Sequence, residues 1–524
     1  MKLKIYAMKL KKNLVVSIPR LEIHRPPIST AIVANAIKQK NHPVQCLDLN
    51  IKFFHFLQDR NLYYKMDEVW DGNRHITLTE YKTVVIFLKQ HFLKEAQKYD
   101  RICISIFGAS ARLFGEILCS FTRKHLPHKQ IVIGGAGVLS SKPATDSSQH
   151  QIKCYGEDMQ ERGLVDFWIS GEGEQAIIEL LQEKTSYPGI NSRMYKQINE
   201  LDNLPFPDYS FFDLDEYDYL SDEKEVFIVG SRGCVRRCTY CDVGRYWPKF
   251  RYRSGKNIAD EMISHYEKHG VTKFYFTDSL INGSLKAFRE MCYNLAKYNQ
   301  DHNCNFKWGG QFIFRPIHQV PEEHFEMISK AGGTQFYVGV ETGSDKIRWE
   351  MDKKFTNEDI AYQLEMFSKY NIKVFFLMLL GYLTETAKDH QDTLKMFKKW
   401  QKYVADGTIS GIDLSVQLTF LAHTPLESMI DSHGVYFFET DDKQKYDKDL
   451  ALWQSKSNPE LTIQERLRRR IETHKEAIKY NWPIWRGPQR LSAVKNIATK
   501  YLTYLQKNSI QNSKIDETGL YWID

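Results

Sequence analysis

Three cysteines stand at a spacing that can do chemistry: Cys234, Cys238 and Cys241 in SRGCVRRCTYCDVGR, following an apolar strand-like run and set in a loop rich in glycine and arginine. Three thiolates can ligate three irons of a cubane [4Fe-4S] cluster and leave the fourth iron without a protein ligand, whereas electron-transfer clusters are normally held by four cysteines. An iron left open can take a small molecule as its ligand. Arg232, Arg236 and Arg237 add positive charge beside what would be an anionic cluster. Two rival readings stand beside this one. A structural zinc knuckle wants four ligands, often as Cys and His pairs, and no fourth Cys or His is near in sequence. A chance grouping of core cysteines would have to sit in a basic, polar loop, where buried thiols do not normally crowd.

Such a loop needs a scaffold, and bulk properties bound what that scaffold can be. At 524 residues the chain is too long for one ordinary domain and predicts about two to four folding units. With 42% hydrophobic and 26% charged residues it reads as globular protein rather than as a disordered chain. The longest strongly apolar run, 374–380, falls well short of the roughly 20 residues that a membrane helix needs. The lysine-containing start MKLKIYAMKLKKNLVVSIP lacks a continuous apolar segment with a small-residue cleavage site. Nine cysteines without a secretion signal point to reduced thiols, and a cytoplasmic location is expected. The net charge of +7 is mild for this length. Its densest basic patch, 466–470 in ERLRRRIETHK, reads first as a solvated helix face, with an anionic partner as the alternative; no nucleic-acid motif accompanies it.

The elements that must position the cysteines follow from hydrophobic pattern. Strands at 14–18, 44–49, 102–107 and 131–134 alternate with helices at 30–38 and 114–124, which predicts an α/β domain with a parallel sheet over 1–200. An aromatic and charged insertion at about 52–99 reads as helical and is expected on the outside of this domain. The Pro- and Asp-containing stretch 201–225 reads as a linker. From 226 to 440 the runs VFIVG, KFYFTD, FKWGGQF, QFYVGVE, KVFFLMLLG and DLSVQLTFL recur between helical stretches, and six such strands predict a partial α/β barrel with its reactive loops at the carboxyl ends. The remainder, 441–524, reads as a helical region with helices at 462–480 and 491–507.

Taken together, these residues resemble the radical S-adenosylmethionine (radical SAM) superfamily, whose CxxxCxxC signature, with an aromatic before the last cysteine, is matched including Tyr240. RYRSGKNIADEM, FYFTDSLIN, GVETGSDKI and FFLMLLGYLTET resemble successive barrel segments of the subgroup that carries an N-terminal cobalamin-binding domain. That resemblance implies a Rossmann-like cobalamin-binding domain, a partial (β/α)6 radical SAM barrel and a C-terminal helical region. It implies that S-adenosylmethionine chelates the open iron. It further implies that Tyr240, Asp278, Gln311, Glu341 and Thr342 belong to the S-adenosylmethionine site, with Glu341 and Thr342 in contact and Asp278 and Gln311 facing the same cavity. Read without the resemblance, Asp278 is a helix cap, Glu341 a barrel salt-bridge residue and Gln311 lining. GYLTET departs from the glycine-proline-glycine run usual at the penultimate barrel strand.

The amino-terminal half is similar to the same subgroup through RPPISTAIVANAIKQKNHPVQCLDLN, YDRICISIFGASA, IVIGGAGVLSS, VDFWISGEGEQAIIELL and LDNLPFPD. By that likeness Ser105, Gly134 and Gly135 are cobalamin-binding, matching Ser-x-Leu and Gly-Gly elements with Phe107 in the Leu place. Physically, glycines and a small hydroxyl at strand ends let a nucleotide tail approach the backbone closely, although a glycine pair alone is an ordinary strand-to-turn feature. The axial-histidine motif Asp-x-His-x-x-Gly is absent; its nearest counterpart, around His24, lacks both the Asp and the Gly and reads as pocket lining or surface.

The activity so implied is a cobalamin-dependent methyltransferase acting on an unactivated carbon or phosphorus centre through a 5′-deoxyadenosyl radical and methylcobalamin. Its partners would be a small-molecule or peptide substrate and an electron donor such as flavodoxin or ferredoxin, with no membrane and with nucleic acid not indicated. The alternatives are a radical SAM enzyme that performs cyclisation, rearrangement or oxidation without methyl transfer, and a non-catalytic metal-binding interaction protein. Methylthiotransfer is disfavoured because Cys46, Cys103, Cys119, Cys154, Cys292 and Cys304 show no clustered spacing for a second cluster.

Overall fold

The computed structural model describes residues 10–72, 74–139, 153–421, 424–437 and 453–485. These fall into two compact units, the first running to 228 and taking back 264–273, the second made of 229–263 and the described residues from 274 onward.

Short apolar runs build the sheet of the first unit: β1 (Asn13–Ser17), β2 (Val44–Asp48), β3 (Arg101–Ser105), β4 (Gln130–Gly134) and β5 (Phe167–Ile169). All are parallel, in the order β2-β1-β3-β4-β5. The run LVV of β1 and the run ICI of β3 are buried on both faces, as a parallel sheet wrapped by helices requires. The chain order reverses between β1 and β3, and in open α/β sheets such a switch point forms a ligand crevice at the carboxyl ends of the strands. Ser17, Ser105 and Gly134 are in register across that end.

The insertion differs from expectation in position. It forms helices Leu49–Leu57, Arg60–Trp70, Leu78–His91 and Leu93–Ala96, the third of them started by a capping box of Thr77 and Glu80. Rather than lying outside, it sends Phe53, Tyr63, Trp70, Phe87 and Phe92 into the same core as Leu14, Ile102 and Ile131. The Phe53 ring lies 5.0 Å from Phe87 and 6.0 Å from Phe114 of helix Arg112–His125, edge to face. Amphipathic helices with this much aromatic surface are stable only when that surface is covered. The stretch read as a linker, 201–225, is likewise packed. Leu201, Tyr209, Leu214 and Tyr217 are buried, the Tyr217 hydroxyl donates to the Asp48 carboxylate (2.9 Å), and Arg25 pairs with Glu225 (2.8 Å).

The second sheet runs β13-β12-β11-β10-β9-β6. Its strands are β6 (Glu225–Ile228), β9 (Lys273–Phe276), β10 (Lys307–Phe312), β11 (Gly333–Glu341), β12 (Lys373–Leu380) and β13 (Ile409–Gln417); a two-stranded antiparallel ribbon, β7 (Ser231–Arg232) with β8 (Arg251–Tyr252), follows β6. Helices Leu285–His302, Glu322–Lys330, Asn357–Lys369 and Ala387–Lys399 connect successive strands. This is the partial α/β barrel that the recurring strand pattern anticipates.

Beyond β13 come a hairpin, β14 (Val435–Phe437) with β15 (Trp453–Ser455), and helix Ile463–Lys479. The second helix expected at 491–507 lies outside the described residues. The arginine run 466–470 is not the solvated face first read there. Arg466, Arg469 and Arg470 are 7%, 4% and 4% exposed, and only the Arg468 side chain reaches solvent, at 53%. The reason is packing: Arg466 lies 4.0 Å over the Trp453 ring, and Arg469 pairs with the buried Glu385 at 3.0 Å. Among the described residues no helix is long and apolar enough to cross a membrane.

Candidate functional site

The cysteine loop leaves β6 and is fixed from several sides. Asp278, which follows β9, accepts from the Gly230 N–H (2.9 Å) and the Ser231 hydroxyl (2.6 Å), and so clamps the start of the loop. Asp278 is therefore not a helix cap, since Ser284 caps the next helix, and it lines a small cavity together with Gly230, Ser231, Phe276 and Ile281. Burial pushes the Asp278 carboxyl up to about 6 against the pull of those hydrogen bonds. Gly233 has φ +86°, and a Cβ there would stand 2.9 Å from the Lys249 carbonyl oxygen, so the turn into Cys234 requires glycine. Farther along, the Thr239 N–H donates to the Met351 carbonyl (3.2 Å), its carbonyl accepts from the Leu426 N–H (2.8 Å), and its hydroxyl meets that of Tyr382 at 2.8 Å. Tyr382 belongs to GYLTET, whose departure from a proline-containing run thus supplies a tie to the cysteine loop.

Cys238 is buried, and Cys234 and Cys241 are half-buried. Burial raises the Cys238 thiol and pushes Cys241 up to about 11; the Cys234 charge raises both further, and the Cys238 charge raises Cys241. The three sulfurs therefore share one electrostatic neighbourhood. Among the described residues no three Cys, His, Asp or Glu side chains converge on a point that a single ion could occupy. A cubane spreads its thiolates over separate irons and asks for no such convergence. Two guanidinium groups flank the loop: Arg315 feels both Arg236 and Cys234, which with burial leave it at about 10, and the Nε atoms of Arg236 and Arg315 are buried without an acceptor. Thiols in mutual reach beside unanswered cationic donors fit an anionic iron–sulfur cluster.

Glu341 ends β11 in a conformation that costs energy, with φ +67° at a non-glycine residue and a register shift against β12 between Gly339 and Glu341. The bend turns its carboxylate back over Gly339, where a Cβ would come within 2.2 Å of Oε1. There Oε1 accepts from the Tyr240 hydroxyl (2.7 Å) and from Lys353 Nζ (2.6 Å), and Lys353 lies 5.7 Å from the Tyr240 ring centre. Burial, then the Glu341 charge, carry the Tyr240 hydroxyl well above its ordinary value; burial lowers Lys353 most, but Glu341, Cys238 and Cys241 together raise it. Thus the carboxylate, the residue before Cys241 and a buried ammonium form one unit. The Thr342 hydroxyl meets that of Thr393 (3.0 Å) and accepts from the Ser344 N–H (3.1 Å), so it locks the turn that holds Glu341. Gln311 ends up half-buried near the end of β10. Lys353 had no sequence signal, being one lysine in WEMDKKF without informative spacing; Arg315 was equally silent.

In the first unit, Ser105 ends β3, and its hydroxyl lies 3.3 Å from that of Ser29. Gly135 has φ +106°, and a Cβ would stand 2.6 Å from the Ile106 carbonyl oxygen, so the fold itself requires this glycine. A Cβ at Gly134 would meet only ordinary contacts. Phe107 is 61% exposed at the same end of the sheet. His24 is held by Asp218, its Nδ1 2.5 Å from that residue's carbonyl oxygen.

A three-thiol loop follows β6, and a bent-back carboxylate ends β11 of the same six-stranded sheet. Residues 228–397 match the model of the Radical SAM superfamily. Among curated proteins it is 24% identical over 196 residues to cytidylyl-2-hydroxyethylphosphonate methyltransferase of Streptomyces wedmorensis, covering 35% of each chain. It is 27% identical over 345 residues to the anaerobic magnesium-protoporphyrin IX monomethyl ester cyclase of Synechocystis sp., covering 61% of this chain and 64% of the cyclase. The chain thus spans less than two thirds of the length of these relatives. Among solved structures it resembles TsrM of Kitasatospora setae, a radical S-adenosylmethionine methyltransferase with cobalamin and a [4Fe-4S] cluster bound, with TM-score 0.56, 14% identity, and 83% of this chain and 78% of that one covered. It also resembles the cobalamin-dependent S-adenosylmethionine radical enzyme OxsB, with TM-score 0.59, 15% identity, and 98% and 74% covered. At such identities the likeness is one of fold, and the fold of this chain is theirs.

Proposed function

We propose that this chain is a cobalamin-dependent radical SAM enzyme and that it transfers a methyl group to an unactivated carbon or phosphorus centre. The observation that carries the reading is the three-thiol loop after β6 with Tyr240, Glu341 and Lys353 joined beside it, in a chain whose other sheet has the order β2-β1-β3-β4-β5. Cys234, Cys238 and Cys241 would hold the [4Fe-4S] cluster. Glu341, fixed by Tyr240 and Lys353, would accept from a hydroxyl or ammonium donor of S-adenosylmethionine, with Gln311 lining the site and Asp278 and Thr342 holding the two loops in place. Ser105, Gly134 and Gly135 would take cobalamin at the switch point of the first sheet. When bound, the cluster supplies an electron for cleaving S-adenosylmethionine and cobalamin carries the methyl group. That electron has to come from an outside donor such as flavodoxin or ferredoxin.

A second reading, cyclisation or oxidation without methyl transfer, is favoured by one observation: the cyclase relative aligns over 61% of this chain and the methyltransferase relative over 35%. Anaerobic reconstitution with iron and sulfide, with and without cobalamin, followed by a reduced assay separates the two. The methyl-transfer reading expects both 5′-deoxyadenosine and S-adenosylhomocysteine together with retained cobalamin. Formation of 5′-deoxyadenosine alone, with cobalamin not retained, transfers the case to the second reading. Replacing Cys238 with Ala abolishes cleavage; retained cleavage overturns the ligand assignment.

A further inference from the structure

Among the described residues, no acid answers the buried cation of Arg470. It is 4% exposed on helix Ile463–Lys479, and burial alone, with no neighbouring carboxylate acting on it, lowers its guanidinium to about 10, so it stays charged at neutral pH. Its Nη2 donates to the Ser415 carbonyl (2.6 Å), while Nε and Nη1 are shielded from solvent and meet no acceptor. The acids along the helix and the nearby Glu385 are taken by other cations: Glu385 and Glu465 by Arg469, Glu465 and Glu472 by Arg468, and Glu476 by Lys479. A guanidinium removed from water normally keeps a carboxylate or phosphate partner, because an uncompensated buried charge is costly.

Its position says what kind of partner is missing. Ser415 lies on β13, the strand at the far edge of the six-stranded sheet. The outer backbone edge of β13 is occupied at Ile412 by Pro483 and Trp485, and at Ser415 by Arg470. Glu341 pairs with Met378, and Leu377 and Leu379 pair with Asp413 and Val416, which sets Ser415 level with Glu341 two strands across, on the order of 10 Å away. Val416, the next residue, is 37% exposed, so solvent reaches the edge there.

We propose that Arg470 receives an oxyanion, a carboxylate or phosphoryl group, borne by a ligand that docks at the exposed end of β13 beside Val416. Calling that ligand the substrate rests on the function proposed above; the anion binding does not. Guanidinium geometry matches either oxyanion, and its planar fork distinguishes it from an ammonium.

The test uses the full chain with its cluster reconstituted, titrated with inorganic phosphate or with acetate at constant ionic strength, and followed by calorimetry and thermal melting without S-adenosylmethionine or reductant. Saturable binding of one anion is expected, weaker by about tenfold or more in Arg470→Gln and unchanged in Arg468→Gln on the exposed face of the same helix. Preference for acetate identifies a carboxylate ligand, and preference for phosphate a phosphoryl one. If Arg470→Gln does not fold, Arg470→Lys keeps the charge, loses the fork and is expected to show the weakening. Absence of saturable binding to the native chain, or equal binding by a folded Arg470 variant, overturns the proposal. Cleavage of S-adenosylmethionine is assayed separately, so lost anion binding with intact cleavage sinks only this inference, and the converse sinks only the function reading.

Discussion

Asp278 clamps the start of the cysteine loop, a task that its motif position does not reveal. Its two carboxylate oxygens hold the Gly230 N–H and the Ser231 hydroxyl, at the cost of an ionised group in a fully buried place. Its carboxyl stands at about 6 instead of 3.8, so the folded state favours the protonated form. The sign follows: the stability from this group is fully present below about pH 4 and is lost as pH rises through about 6, a change of about 3 kcal/mol. Asp278→Asn is expected to flatten the fall in unfolding free energy between those pH values, measured by denaturant titration at a series of pH; a variant curve as steep as the native one contradicts the assignment. The cysteines were legible because spacing alone encodes what three thiolates can ligate. Glu341 was legible through its motif, but Lys353 and the locking role of Thr342 were not, because their partners Glu341 and Thr393 come from distant segments and leave no periodic trace.

Secondary structure was the easier half of the problem, since apolar runs such as KVFFLMLL and the 3.6-residue period each name an element without reference to the rest of the fold. Placement was harder. The helices of 49–96 looked like an external decoration because their charged residues outnumber their aromatic ones, yet the aromatic face is core. Phe87→Ala is therefore expected to cost about 3–5 kcal/mol, whereas Tyr81→Ala on the exposed side of the same helix stays within about 0.5 kcal/mol. Urea unfolding of the two variants settles this; a Phe87→Ala loss as small as that of Tyr81→Ala would return the insertion to the outside. Helix Ile463–Lys479 went wrong in the same way. A run of arginines reads as solvated unless one knows that Trp453, Glu385 and the edge of β13 wait beneath it.

For the molecule as a whole, alternating strands and helices made the two parallel sheets legible, and the motif series made the family legible, while the packing of the connecting stretch 201–225 was hidden because Pro and Asp advertise turns whether or not Tyr209 and Tyr217 between them are buried. The central claim is that three cysteines hold a cluster whose remaining iron accepts S-adenosylmethionine. Paramagnetic resonance of the anaerobically reconstituted, reduced protein, recorded before and after adding S-adenosylmethionine alongside metal analysis, tests it directly. The account predicts iron and sulfide in the protein and a cluster signal that changes when S-adenosylmethionine binds; zinc in oxygen-free preparations, or a signal indifferent to S-adenosylmethionine, would contradict it.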